Sequence, residues 1–182
     1  QGSTLDISIG SGVTVSASGT VTNGILAPSG HAAVTVNGTT WATISGGNLV
    51  GYTGYSTSFA TATNNVDVSG TGMTFSGTTI NSLRFNSDAG ATTLALAAGA
   101  VHQLNAGGVL VTPTVGANLT TIGTGLLAGA SRRDLIILQN NIAGDLQIDA
   151  TIVDFNAGNQ INTKSGLGKV ILTGSHTNTG AT

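Results

Sequence analysis

The chain has 182 residues, a net charge of −2, 7% charged residues and no cysteine. That is long enough for one continuous core. It excludes a disulfide scaffold or thiolate metal site, and without a basic run it offers no phosphate-neutralising surface for nucleic acid. Its 28 glycines, its Thr, Ser and Asn excess and its lack of glutamate predict a nearly all-β chain, and 40% hydrophobic residues argue against disorder.

Short strands recur from the N-terminus onward. Leu5, Ile7 and Ile9 alternate with Asp6 and Ser8, the period-two pattern of a half-buried strand. Val13, Val15 and Ala17 repeat it after Gly10-Ser11-Gly12. Ile25–Ala27, Ala33–Val36 and Thr40–Ile44 follow, closed by Pro28-Ser29-Gly30, Asn37-Gly38 and Gly46-Gly47. Further strands are expected at Val66–Val68, Met73–Phe75, Ser82–Phe85, Thr92–Leu96 and Val109–Val111, then at Leu135–Leu138, Leu146–Ile148, Ile152–Phe155 and Val170–Leu172. Gly51–Asn65 is polar, carries Tyr52, Tyr55 and Phe59, and reads as a loop leaving the regular pattern; Pro113–Gly125 is a softer interruption.

Such spacing fits a sandwich, a barrel or a β-solenoid. Stacked coils tolerate short strands and irregular corners because each strand pairs with the coil above and below. The pattern therefore favours a single parallel β-solenoid domain over 1–182. At roughly twenty residues per coil this makes about nine rungs, roughly 40 Å tall. Its inward ladder is expected to include Ile7, Val15, Val36, Ile44, Val68, Phe75, Leu94, Val111, Ile137, Leu146, Ile148, Val170 and Leu172.

One stretch has a compact pattern of its own. Lys164–Gly180 reads KSGLGKVILTGSHTNTG and resembles the autotransporter-associated β-strand repeat, roughly K-x-G-x-G-x-L-x-L-x-G-x-N-x-Y-x-G. Lys164, Gly166, Gly168, Val170, Leu172, Gly174 and Gly180 fall on the repeat's positions, while His176 and Asn178 depart from its Asn and Tyr. Thr39–Tyr52, Ile80–Asn86, Gly107–Pro113 and Asp134–Asn141 are similar to the regions that precede this repeat in bacterial passenger proteins. The resemblance implies a right-handed parallel β-helix, a segment of a larger exported protein, displayed at the bacterial surface or secreted, with an adhesive or structural role. The chain starts at Gln1 rather than Met, which reads as a processed or cut product.

Candidate chemistry is sparse. Asp145, Asp149 and Asp154 form the densest acidic cluster, with Asp145 and Asp149 on one side of a strand. Grouped carboxylates of this kind serve polysaccharide lyases and glycosidases, or hold calcium; the competing expectation is solvated corner aspartates. Trp41, Tyr52, Tyr55 and Phe59 are candidates for a glycan-stacking patch, or for the private core of a folded-back loop. Arg132-Arg133-Asp134 is expected to cap a corner before Leu135–Leu138, a strand apolar on both faces whose outer side is covered by the Pro113–Gly125 excursion or by a partner. His31, His102 and His176 lack metal-ligand spacing. No cofactor and no membrane-spanning helix are expected.

The resulting expectation is a non-enzymatic extracellular scaffold or adhesin. Its alternatives are a polysaccharide-acting enzyme and a glycan-binding module. Neither terminus reads as a cap, so Leu5, Ile7 and Ile9 at one end, and Val170 and Leu172 at the other, are expected to pair end to end with further copies.

Overall fold

The structure, a computed structural model, describes residues 3–129, 134–155 and 158–180. It is all-β, with parallel sheets stacked as a β-solenoid of about six turns.

The first third of the chain is not part of the coil. It forms β1 (Leu5–Ile7), β2 (Val21–Thr22), β3 (Ile25–Leu26), β4 (Val34–Val36), β5 (Thr40–Ser45) and β6 (Asn48–Gly51). β4, β5 and β6 run antiparallel, and β1 adds parallel to β4. The sequence contains the reason. Asn23 and Gly24 take φ of 50° and 85°, and Gly46 and Gly47 take 55° and 78°. Two successive left-handed residues are what a two-residue hairpin requires, and only glycine and asparagine adopt them cheaply. These residues therefore fold as hairpins, and the expectation that they form rungs is corrected.

The coils begin after residue 55. Their strands are β7 (Asn65–Val68), β8 (Thr74–Phe75), β9 (Thr79–Phe85), β10 (Thr92–Leu96), β11 (Val101–Val111), β12 (Thr120–Ile122), β13 (Leu126–Ala128), β14 (Leu135–Gln139), β15 (Leu146–Ile148), β16 (Thr151–Ile152), β17 (Asn162–Ser165) and β18 (Val170–Leu172). Each coil has three sides. The first is the ladder β8-β10-β12-β15-β18. The second joins the early part of β9 to the early part of β11, then β13 and β16. The third is β7-β9-β11-β14-β17.

Equivalent positions lie further apart than the sequence suggested. Thr92 pairs with Thr120, Thr120 with Leu146 and Leu146 with Val170, offsets of 28, 26 and 24. A three-sided coil needs three corners, and those corners consume the difference. Long coils together with the hairpin segment reduce nine expected rungs to about six. Pro113–Gly125, read as an interruption, contains β12 and is part of a regular coil.

β11 turns a corner without ending. Its register against β9 shifts between Leu104 and Gly108, and Gly107 sits at φ 71° with its α-carbon against the Asp134 carbonyl, where a Cβ would overlap it. Only glycine fits both conditions.

Two cores result. The lumen holds Val68, Phe75, Leu94, Val111, Ile122, Ile137, Leu146 and Ile148 among others. The second core lies on the outside of the third side, where Leu110, Ile136 and Leu138 pack against Ile25, Ala27, Ala32, Ala33 and Trp41 of the hairpin unit. This corrects the cover expected for Leu135–Leu138: the N-terminal hairpins lie on its outer face. Ile7 and Val15 are only partly buried, in a third cluster around Val34, Val36, Ala42 and Leu49.

Candidate functional site

The three aspartates all reach toward the following coil. Asp145, just before β15, pairs with Lys169 just before β18 at 2.6 Å. Asp149, just after β15, accepts hydrogen bonds from Gln147 Nε2 at 2.8 Å and from the Thr173 hydroxyl. Asp154, after β16, accepts from the Gln160 backbone N–H at 2.6 Å and from both the N–H and the hydroxyl of Thr179. The Gln160 N–H, then Thr179, hold the Asp154 carboxyl below the usual carboxylate range against a smaller opposing effect of desolvation. Asp145 and Asp149 flank one strand, while Asp154 follows a strand on another side of the coil and binds different partners. They act as clips between successive coils. Among the described residues, no group of three or more His, Asp or Glu side chains is placed to share a metal ion.

The four aromatic rings do not form one patch. Trp41 is fully buried against Gly108, where a Cβ would come within 2.9 Å of the indole. Phe59 enters the lumen and lies 5.2 Å from Phe75, whose other neighbour is His102 at 4.6 Å. Tyr52 and Tyr55 meet edge to face at 5.0 Å and remain partly accessible. Instead of forming a private loop core, the Gly51–Asn65 segment divides its rings between two larger cores, Phe59 in the lumen and Tyr52 and Tyr55 against the second core. With Trp41 and Phe59 enclosed, the expected four-ring patch does not form, and of the four only Tyr52 and Tyr55 are partly accessible.

Tyr55 is the hub of a latch that the sequence did not disclose. Arg84 on β9 stacks on its ring, 3.6 Å from the centroid, and grips Asp67 on β7 through Nε at 3.0 Å and Nη2 at 2.6 Å. Arg84 also donates to the Thr39 carbonyl in the hairpin unit. The Tyr55 hydroxyl accepts from the Trp41 N–H and bonds Thr40 Oγ1, which itself donates to the Tyr52 carbonyl. Burial raises the Tyr55 pKa, opposed by the Thr40 hydrogen bond and the nearby Arg84 charge. Arg84 and Asp67 are opposite each other in the β7–β9 register, but no sequence signal links either to Tyr55.

A second polar tie is an amide cluster. Asn81 donates to the Asn65 carboxamide oxygen, which also accepts from Ser82, while Asn23 donates to Asn81 and Asn65 donates to the Asn23 carbonyl. His102 is buried with its two ring nitrogens 2.8 Å from the Gly77 and Ala97 carbonyls, bridging two turns. Arg132 and Arg133 lie outside the described residues; Asp134 is buried at the start of β14.

The residues expected to pair end to end occupy unlike places. Leu5 and Ile7 sit in β1, an edge strand of the hairpin sheet, and Ile9 packs on that sheet's outer cluster. None belongs to a rung of the coil, so pairing through them would fall on the edge of the hairpin sheet. The N-terminal mouth of the lumen is instead covered by the segment around Phe59, with Ser56 bridged to Val66 of β7. Val170 and Leu172 lie in β18, the last strand of its ladder among the described residues. Together with Ile137, Ile152 and the polar Asn162, Thr163 and Lys164 of β17 they line a cavity of about 560 Å³ beside β17 and β18.

Comparison with protein-family models, curated proteins and solved structures finds no match to this chain.

Proposed function

We propose that this chain is a non-enzymatic structural scaffold, an extracellular or surface-displayed β-solenoid whose role is to hold a rigid length and present its outer faces. The observation that carries this reading is how the reactive side chains are used. Asp145, Asp149 and Asp154 each bind residues of the following coil, and Trp41 and Phe59 are enclosed in cores. A hydrolytic or lyase site needs carboxylates facing a shared substrate position, and these three face separate neighbours.

An adhesive role, with cell-surface or matrix glycans as ligands, falls on the accessible parts of Tyr52 and Tyr55. The low charge and the absence of cysteine are compatible with a secreted setting, and the resemblance of Lys164–Gly180 to the autotransporter-associated repeat points the same way.

The test is incubation of the full chain with a panel of polyuronates and neutral glycans, beside an Asp145→Asn/Asp149→Asn/Asp154→Asn variant. No cleavage by either is expected. Cleavage by the native chain that disappears in a folded variant would overturn the scaffold reading in favour of an enzyme. A glycan-array signal abolished by Tyr52→Ala, at unchanged melting temperature, would assign the adhesive contact.

A further inference from the structure

We propose that the corner between the third and first sides of the coil is a lipid-contact edge, where Ile142 and Leu167 enter the surface of an anionic bilayer and Lys164 and Lys169 meet its headgroups. The inference goes beyond the scaffold reading and does not depend on it.

Leu167 and Ile142 are the two most exposed large hydrophobic side chains among the described residues, at 92% and 75%. They stand in one column. Gly166 presses on the Gln139 carbonyl and Gly168 on the Asn141 carbonyl, where a Cβ would overlap, and the Gly168 N–H donates to the Gln139 carbonyl. The loop is therefore seated on the corner of the preceding coil, and Leu167, the one residue between these glycines, projects outward. One coil earlier the arrangement repeats. Asn141 donates to the Gly116 carbonyl, and Gly144 presses on the carbonyls of Gly116 and Asn118, so Ile142 projects beside the exposed Ala117. Ala117, Ile142 and Leu167 are 25 residues apart at each step, inside the 24- to 28-residue offsets of the ladder. Single exposed aliphatic residues are ordinary on a protein surface, but tips stacked about 5 Å apart along one edge make an apolar ridge.

The charge beside the ridge selects the occupant. The chain has two lysines, Lys164 and Lys169, and they flank Leu167. Lys164 takes an inward register position of β17 but is exposed, and its Nζ donates to the Gly166 carbonyl at 2.6 Å, within the Leu167 loop. The Lys169 side chain is 65% exposed. A cation on an aliphatic stem beside a projecting leucine suits a bilayer surface, where the tip enters the acyl boundary and the ammonium stays among anionic headgroups. Asp145 balances Lys169 at 2.6 Å, which leaves Lys164 as the excess charge. The apolar tips therefore supply most of the contact, and the lysines set the preference for anionic lipid. A second copy is a poorer occupant, because two convex ridges bury little of each other and bring the Lys164 of each copy to the same edge.

The experiment is flotation of the full chain with vesicles of phosphatidylcholine alone and with vesicles of mixed phosphatidylcholine and phosphatidylglycerol. Stronger binding to the mixed vesicles, reduced by salt, is expected. Leu167→Ser is expected to weaken it about tenfold, and Leu167→Ser/Ile142→Ser to bring it to background. Lys164→Ser is expected to weaken it about fivefold on the mixed vesicles only, and Asp145→Asn, which leaves Lys169 unbalanced, to strengthen it there. Val13→Ser, at an exposed site of the N-terminal segment, is the control and is expected to change nothing. Circular dichroism melts verify that each variant is folded. Leu167→Trp is expected to shift its emission to shorter wavelength on the mixed vesicles, beyond the signal of the buried Trp41. No binding, equal binding to both kinds of vesicle, binding that Leu167→Ser leaves intact, or equal weakening by Val13→Ser overturns the proposal. Self-association without vesicles that Leu167→Ser abolishes would assign the ridge to a second copy and would also overturn it. Failure here leaves the scaffold reading standing, whereas glycan cleavage would remove that reading without affecting vesicle binding.

Discussion

Ile148 and Leu172 share one inward column and differ in what lies above them. Aspartate at Ile148 buries an unpaired charge between coils, so Ile148→Asp is expected to abolish cooperative folding by circular dichroism. Leu172→Asp places its charge at a position already 42% exposed and is expected to shift the melting temperature by only a few degrees. Equal damage from both would show that Leu172 is enclosed as Ile148 is. The alternation that marks these residues as inward was legible in the sequence. Their unequal exposure was not, because it is set by which side chains stack against them in three dimensions. Asp154 carries the pH dependence at this scale. Its carboxyl is held below the ordinary range by the Gln160 N–H and Thr179, so its contribution is fully present above the unfolded carboxylate pKa. It is lost as pH falls through the lowered folded value. Acid melts of Asp154→Asn are expected to show a weaker loss of stability over that interval than the native chain; identical acid profiles would contradict the clip.

At the level of elements, the strand most informative in sequence was Leu135–Leu138, apolar on both faces. The pattern correctly implied a cover, and it could not say which segment supplied it, because contact between residues 25–41 and 136–138 is set by tertiary packing alone. Gly46-Gly47 and Asn23-Gly24 did carry the hairpin signal, outweighed by the alternating pattern that parallel and antiparallel strands share. The docking of the hairpin unit can be tested through Trp41. Trp41→Ala removes the largest side chain of the second core and is expected to destabilise by about 3–5 kcal/mol, with exchange rising first in β4–β6 and on β14, while the lumen strands of β12 and β15 keep their protection. A separate substitution, Arg84→Ala, removes the stack on Tyr55 and leaves Asp67 unpaired, loosening the same unit without touching the lumen. Loss of lumen protection in either variant would mean that hairpins and coils fold as one unit.

For the whole molecule, the solenoid class was legible from composition and strand spacing, while the coil length was underestimated because corners have no hydrophobic period to count. Two cores share the third side of the coil, one inside it and one outside, and among the described residues Leu172 of β18 is exposed where its column partners are buried. Local stability is therefore expected to be graded along the axis. Hydrogen exchange of the native chain, read strand by strand, tests this most directly. The account predicts slowest exchange in the second half of β11 and in β14, buried on both faces, intermediate protection in β10, β12 and β15, and fastest exchange among the coil strands in β17 and β18. Protection of β18 equal to that of β12, or of β14 no greater than that of β10, would contradict a stack in which β18 is partly exposed and the third side is clamped from outside by the N-terminal hairpins.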